Sequence, residues 1–280
     1  MSERTEILDN VVVVKVGTTS MFRHESGREL LDREAMKRIS DQVLRLKEAG
    51  FHVPMVSSGA VTAGMEATNT AVRPKGDEAM PEIQRLATIG WRRVLNAWFD
   101  VMGVENGGLL VTRRELNLDT PEHDEALRTT HTLLMHGEIP ILNENDGITH
   151  GELTNQSFGQ NDELSAIYAA QIARSELFGN NVSLVLLSDV DGVYEDVTDP
   201  SSIILEISMS DIAKYEHMAG ASNGVHGKGG MKTKFEAAKI AAAAGVDMWI
   251  ANGQTENAVQ LALDGKIGTH FTLNSDLLII

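Results

Sequence analysis

The chain has no cysteine, so neither a disulfide framework nor a thiolate metal site is open to it, and a reducing compartment fits that composition. Positive charge is scarce: 24 Lys+Arg stand against 40 Asp+Glu, a formal net charge of −16. Nucleic acids and anionic membranes are bound through clustered basic charge, so neither is expected as a partner. No apolar run approaches the roughly 18 residues that span a bilayer. The start, Met1-Ser-Glu-Arg-Thr-Glu6, lacks the apolar stretch of a signal peptide. His131 and His136 do not share an i, i+4 face, and none of the nine histidines falls in a ligand cluster. No protein-held metal is expected. These absences point to a cytoplasmic protein.

What is present alternates. Apolar strand-like runs at Val11–Val16, Phe51–Val56, Gly107–Thr112, Ile139–Asn143, Ser183–Ser188, Val246–Ala251 and Thr269–Leu273 are separated by helical periodicity. Helices are expected over Asp32–Ala49, Glu82–Met102, Pro121–Met135, Gln160–Ala173, Ser208–Met218 and Thr255–Leu263, with an alanine-rich helix ending at Gly245. Buried strands alternating with helices predict an α/β fold: an open, mainly parallel sheet covered by helices on both faces. A barrel of βα units is the alternative. At 280 residues the chain makes one domain, with an N-terminal lobe to about residue 175 and a C-terminal lobe from about 176. Trp91 and Trp98 lie two helical turns apart and read as a core or subunit-contact stripe rather than a ligand platform.

Ligands in open α/β sheets sit beyond the carboxyl ends of the strands, and here those ends are polar. One strand delivers Asn143-Glu144-Asn145-Asp146, another Ser188-Asp189, and a third the small-residue turn Ser57-Ser58-Gly59. Asn161-Asp162 opens a helix, and the polar stretch Gly147–Phe158 before it predicts a hairpin or lid. Lys15 ends the first strand, where it is either snorkelling to the sheet edge or a charge partner for phosphate. Spacing does not separate the two. Gly224 to Lys234 places glycines and lysines at a helix N-terminus, an anion site by dipole and by ammonium charge. It matches neither a Walker A loop nor G-x-G-x-x-G.

Val12-Val-Val-Lys-Val-Gly-Thr18, Val56-Ser-Ser-Gly-Ala60, Leu110-Val-Thr-Arg113, Ile139 to Asp146, Asn161 to Ala166, Leu187 to Tyr194 and Gly229 to Lys234 occur in that order. The ordered set resembles the amino acid kinase family, and within it the short form of the glutamate-phosphorylating branch, without a C-terminal PUA domain. The resemblance implies ATP- and Mg²⁺-dependent phosphorylation of the γ-carboxylate of L-glutamate, the first step of proline synthesis. A family enzyme acting on another small carboxylate or phosphate is the alternative. By resemblance Lys15, Lys234 and Asp189 are catalytic, with Asp189 holding the two lysines. Lys15, Ser188, Asp189, Lys228, Gly229, Gly230, Met231, Lys232, Thr233 and Lys234 would bind ATP. Ser58, Gly59, Asp146, Asn161 and Asp162 would bind glutamate. Mg²⁺ would arrive with ATP, proline would inhibit through the glutamate pocket, and the protein would form dimers or tetramers. Four departures from the family pattern stand out: Gln160, Lys228, Trp91 and a longer loop after Asp146.

Overall fold

The computed structural model describes residues 6–118, 120–149, 161–221 and 230–273. Its elements in chain order are β1 (Val11–Val16), β2 (Phe22–Glu25), β3 (Arg28–Leu31), α1 (Arg33–Glu48), β4 (Met55–Ser57), α2 (Ala60–Thr68), α3 (Met80–Met102) and β5 (Asn106–Val111). There follow α4 (Pro121–Met135), β6 (Ile139–Glu144), α5 (Asn161–Arg174), β7 (Val182–Ser188), β8 (Val193–Tyr194), β9 (Ile203–Ile204) and β10 (Glu206–Ser208). The chain ends with α6 (Ile212–Ala221), α7 (Met231–Ala242), β11 (Asp247–Asn252), α8 (Ala258–Leu263) and β12 (Thr269–Thr272).

Eight strands form one sheet in the order β10-β12-β11-β7-β1-β4-β6-β5. Every pair from β11 to β5 is parallel, and β12 alone turns the direction by pairing antiparallel to β11. The sheet is therefore mainly parallel, with helices on both faces, as the alternation of elements predicts. Strands β1 and β7 pair at its centre, where the first and second halves of the chain meet.

The two faces follow from the period-2 geometry of β1. All six of its residues are buried, so both faces must be covered. Val11 and Val13 pack with Leu164 of α5 and Phe235 of α7. Val12, Val14 and Val16 pack on the other side with Met36, Ile39 and Val43 of α1, Trp98 of α3 and Val259 of α8. Alternation sends Lys15 to the face of α5 and α7. That placement is the structural origin of the site described below.

Local signals explain most boundaries. Asp32 caps α1 by accepting hydrogen bonds from the backbone N–H groups of Glu34 and Ala35. Trp98 is core: it is fully buried and donates Nε1–H to Ser57 Oγ at 2.8 Å. Trp91 is only partly buried. The β2–β3 hairpin is absent from the sequence reading, because its residues are polar and its strands short. Its signal was the Ser26-Gly27 pair, whose φ values of 50° and 77° make a primed hairpin turn. Helix α6 also starts later than its Ser208 signal suggests, since Ser208 ends strand β10.

Helices α2 and α3 cross in backbone contact, through a glycine on each. A Cβ on Gly64 would lie 2.0 Å from the Leu86 carbonyl oxygen, and one on Gly90 would lie 1.8 Å from the Ala60 carbonyl oxygen. Neither neighbour is a flexible side chain, so only separation of the helices could relieve the clash. Gly90→Ala is expected to destabilise the fold by about 3 kcal/mol, read as a clear drop in Tm by circular dichroism. A Tm within a degree or so of the unmodified protein would contradict this crossing.

Candidate active site

The carboxyl ends of β1, β4 and β7 and the N-termini of α2, α5 and α7 converge on one cleft. A cavity of about 490 Å³ there is lined by Lys15, Ser58, Asn161, Asp162, Ser188, Asp189 and Lys234, together with Gly17, Thr18, Phe22, Glu29, Thr62, Arg73 and Lys75. Unpaired N–H groups and the positive dipole end make each helix start favourable to anions. This local field opposes the negative net charge of the chain.

The floor of the cleft is a three-membered charge cluster. Lys15 Nζ lies 2.7 Å from Asp162 Oδ1, and Lys234 Nζ lies 3.2 Å from Asp162 Oδ2. Lys15, Lys234 and Asp162 are only 8, 6 and 3 % exposed, so this is a buried pair of cations on one carboxylate. Burial by itself would raise the Asp162 pKa, but Lys15 and then Lys234 override it and hold the carboxyl well below the ordinary carboxylate range. Thr233 Oγ1 is within hydrogen-bond reach of both Asp162 Oδ2 (3.0 Å) and the Gly230 carbonyl (2.9 Å).

Two assignments from the sequence change here. Asp189 was assigned to hold the two lysines; instead their ion pairs run to Asp162, while Asp189 Oδ1 accepts a hydrogen bond from Ser188 Oγ at 3.1 Å. Asp162, grouped with the glutamate ligands, is the bridge. Strand geometry explains the exchange: Asp162 opens α5, which packs on the same face as Lys15, whereas Asp189 lies beyond the end of β7 and is exposed. Lys234, in contrast, is buried in the first turn of α7.

A neutral network continues from the cluster. The Asn161 amide lies 2.9 Å from both Ser58 Oγ and Asn143 Oδ1 and donates to each. Gly59 takes φ +96°, and a Cβ there would lie 2.7 Å from Phe22 Cε2, so a side chain would meet both strain and a clash. Asp146 lies in the turn after β6, in a neighbouring cavity of about 370 Å³ that it shares with Ala60, Thr88, Trp91, Asn143 and Glu144. Burial first, and Glu144 second, push its carboxyl up to about 7, against the opposing pull of Arg73 and Asn143. Trp91, one of the four departures, thus walls the space beside Asp146.

Lys228, Gly229 and Gln160 lie outside the described residues, as does the loop after Thr149 up to residue 160. Of the nucleotide segment, Gly230 is the N-cap of α7, and Met231, Lys232 and Thr233 start the helix. The sequence reading missed Phe22, Glu29, Arg73 and Lys75 on the cleft wall. The signal for the last two was Arg73-Pro-Lys75, a basic pair in a chain poor in basic residues. Among the described residues, no group of three or more His, Cys, Asp or Glu side chains could hold a metal, and no helix is long and apolar enough to cross a membrane.

Two buried lysines and three helix N-termini at the strand ends of an open sheet make this cleft a candidate phosphate site of an α/β enzyme. The model of the amino acid kinase family matches residues 10–252, and the chain belongs to that family. It is 35 % identical over 269 residues to glutamate 5-kinase 2 of Pseudoalteromonas translucida, covering 94 % of this chain and 68 % of that protein. It is 36 % identical over 270 residues to glutamate 5-kinase of Shewanella pealeana, covering 93 % and 67 %. The chain thus spans about two thirds of the length of these relatives. Among solved structures, carbamate kinase from Giardia lamblia bound to AMP-PNP superposes with a TM-score of 0.63 at 15 % identity, over 97 % of this chain and all of the other. UMP kinase from Bacillus anthracis gives 0.60 at 14 % identity, over 96 % of this chain and 97 % of the other. These two share the fold.

Removing the bridging carboxylate would leave two ammonium groups buried and facing each other. Asp162→Ala is expected to cost about 3–5 kcal/mol in unfolding free energy, measured by denaturant titration at pH 7. Because the folded pKa is depressed, this contribution is present above the unfolded value of about 4 and is lost only as pH falls below it. A cost under about 1 kcal/mol at pH 7 would contradict the bridge.

Proposed function

We propose that the chain is a glutamate 5-kinase, transferring the γ-phosphoryl group of ATP to the γ-carboxylate of L-glutamate to give L-glutamyl 5-phosphate and ADP, the first step of proline biosynthesis. The observation that carries this is the buried Lys15–Asp162–Lys234 cluster at the floor of the cleft, with Asp146 in the cavity beside it. The identity to named glutamate 5-kinases over most of the chain supports the same substrate.

The chemistry needs little from the protein beyond placement and charge. A carboxylate is already a nucleophile at neutral pH, so no general base is required. A γ-carboxylate oxygen forms the new bond to phosphorus as the bond to the β,γ-bridging oxygen breaks, and ADP departs with that electron pair. Two anions must be brought into line against their repulsion, and charge on the transferring group must be neutralised. Lys15 and Lys234 are placed for this by Asp162. Asp162 thereby sets two cations side by side, where phosphate oxygens would meet them.

The N-terminus of α7 with Ser188 and Asp189 forms the nucleotide side in this reading, and Lys228 and Gly229 extend it. Ser58, Gly59, Asn161 and Asp146 form the glutamate side, so the lobe to about residue 175 carries the acceptor side together with Lys15, and the lobe from about 176 carries the rest of the nucleotide side. Mg²⁺ offsets charge on the ATP phosphates and is carried by them, Asp189 being the exposed carboxylate beside that side of the cleft. Proline as an inhibitor at the glutamate pocket, self-association through an exposed face and a cytoplasmic location belong to the same reading.

Glutamate-dependent ADP release, measured beside aspartate, N-acetylglutamate, carbamate and UMP, tests the proposal, and turnover with another acceptor only would overturn it. The pH profile adds an internal check. Asp146 must be ionised to hold the α-ammonium, and its carboxyl titrates at about 7 in the free protein. Below that pH the KM for glutamate should rise by about tenfold per unit, while the KM for ATP stays flat, and Asp146→Asn should remove the slope. The sign for stability is the reverse: the raised pKa favours the folded state at low pH, and that contribution is lost as pH rises through about 7.

A further inference from the structure

Arg73 lies in the segment between α2 and α3 and lines the cleft together with Pro74 and Lys75. Its Nη1 donates to Thr62 Oγ1 at 3.2 Å, and Thr62 is a buried residue in the first turn of α2. That turn borders both cavities: Ala60 lines the one holding Asp146, and Thr62 lines the one holding Lys15. Arg73 and Asp146 therefore flank the same helix start, on either side of the Ser58–Asn161–Asn143 network. Each acts electrostatically on the other: Arg73 opposes the rise of the Asp146 pKa, and Asp146 opposes the lowering of the Arg73 pKa caused by burial.

The geometry points to Arg73 as the residue that binds the α-carboxylate of the acceptor, so that Arg73 and Asp146 together clamp the zwitterionic head of an α-amino acid. This rests on the amino acid acceptor proposed above and adds the residue that distinguishes an α-amino acid from a simple ω-carboxylate. A cation and an anion set apart, with neutral hydrogen-bonding groups between them, match the charge pattern of an α-amino acid: carboxylate on one side, ammonium on the other. The arginine fork suits a carboxylate geometrically. It also leaves the buried lysines at the other end of the cleft to the phosphoryl group.

Analogues that each lack one charged group separate the two halves of the clamp. 4-Aminobutyrate has the ammonium and the reacting carboxylate but no α-carboxylate; glutarate has both carboxylates but no ammonium. The measurement is the apparent affinity of glutamate and of each analogue, as substrate or as competitive inhibitor, for the unmodified protein, Arg73→Met, Arg73→Lys and Asp146→Asn. Arg73→Met should weaken glutamate and glutarate by roughly 30-fold, the usual effect of truncating one partner of a close charge pair. It should leave 4-aminobutyrate within about twofold and the KM for ATP unchanged, with Arg73→Lys intermediate for glutamate. Asp146→Asn should do the converse, sparing glutarate. An equal loss for 4-aminobutyrate and glutamate in Arg73→Met, or no loss for either, would overturn the clamp. An unmodified protein that turns over no glutamate would overturn the functional reading and the clamp with it.

Discussion

One carboxylate shared by two buried lysines is the interaction on which the site depends. Asp162 faces Lys15 from β1 and Lys234 from α7, and all three are almost fully buried. A buried lysine without a partner would lose its charge or unfold its surroundings, and two of them side by side would repel. Asp162 holds both side chains at one point in space, and two desolvated cations fixed there are what the proposed phosphoryl transfer would use.

The rest of the fold serves to bring these three residues together from distant parts of the chain. Parallel pairing of β1 with β7 and β4 fixes the depth of Lys15 in the sheet. The alternation of β1 turns Lys15 toward α5 and α7, whose N-termini supply Asp162 and Lys234. At the wall of the cleft, the glycine crossing of α2 and α3 sets where the first turn of α2 stands, and with it Ser58, Thr62 and Arg73. Packing at that crossing thereby bears on the width of the cleft.

Much of this was legible in the sequence, and the parts that were not share a cause. β1 and β7 announced themselves as apolar runs, Asp32 marked the start of α1, and polar clusters at strand ends pointed to the candidate cleft. Local signals of that kind need no knowledge of packing. The exchange of roles between Asp162 and Asp189 did need it. Both are acids at element boundaries, and only the face each element occupies decides which one meets the lysines. The same holds for Arg73: a basic residue in a polar loop has no local mark of lining the cleft, because that placement is made by the packing of the loop on the first turn of α2. The β2–β3 hairpin was missed for a different reason, since its turn chemistry was visible in Ser26-Gly27 but its strands carry no apolar alternation.

The most direct test of the central claim is a crystal structure of the complex with Mg²⁺, ADP, aluminium fluoride and glutamate. The fluoroaluminate group, standing in for the phosphoryl group in flight, is predicted to lie between Lys15 Nζ and Lys234 Nζ, with both lysines still on Asp162 and the glutamate γ-carboxylate in line. A group bound away from either lysine, or a complex in which Asp189 has replaced Asp162 as the bridge, would contradict it.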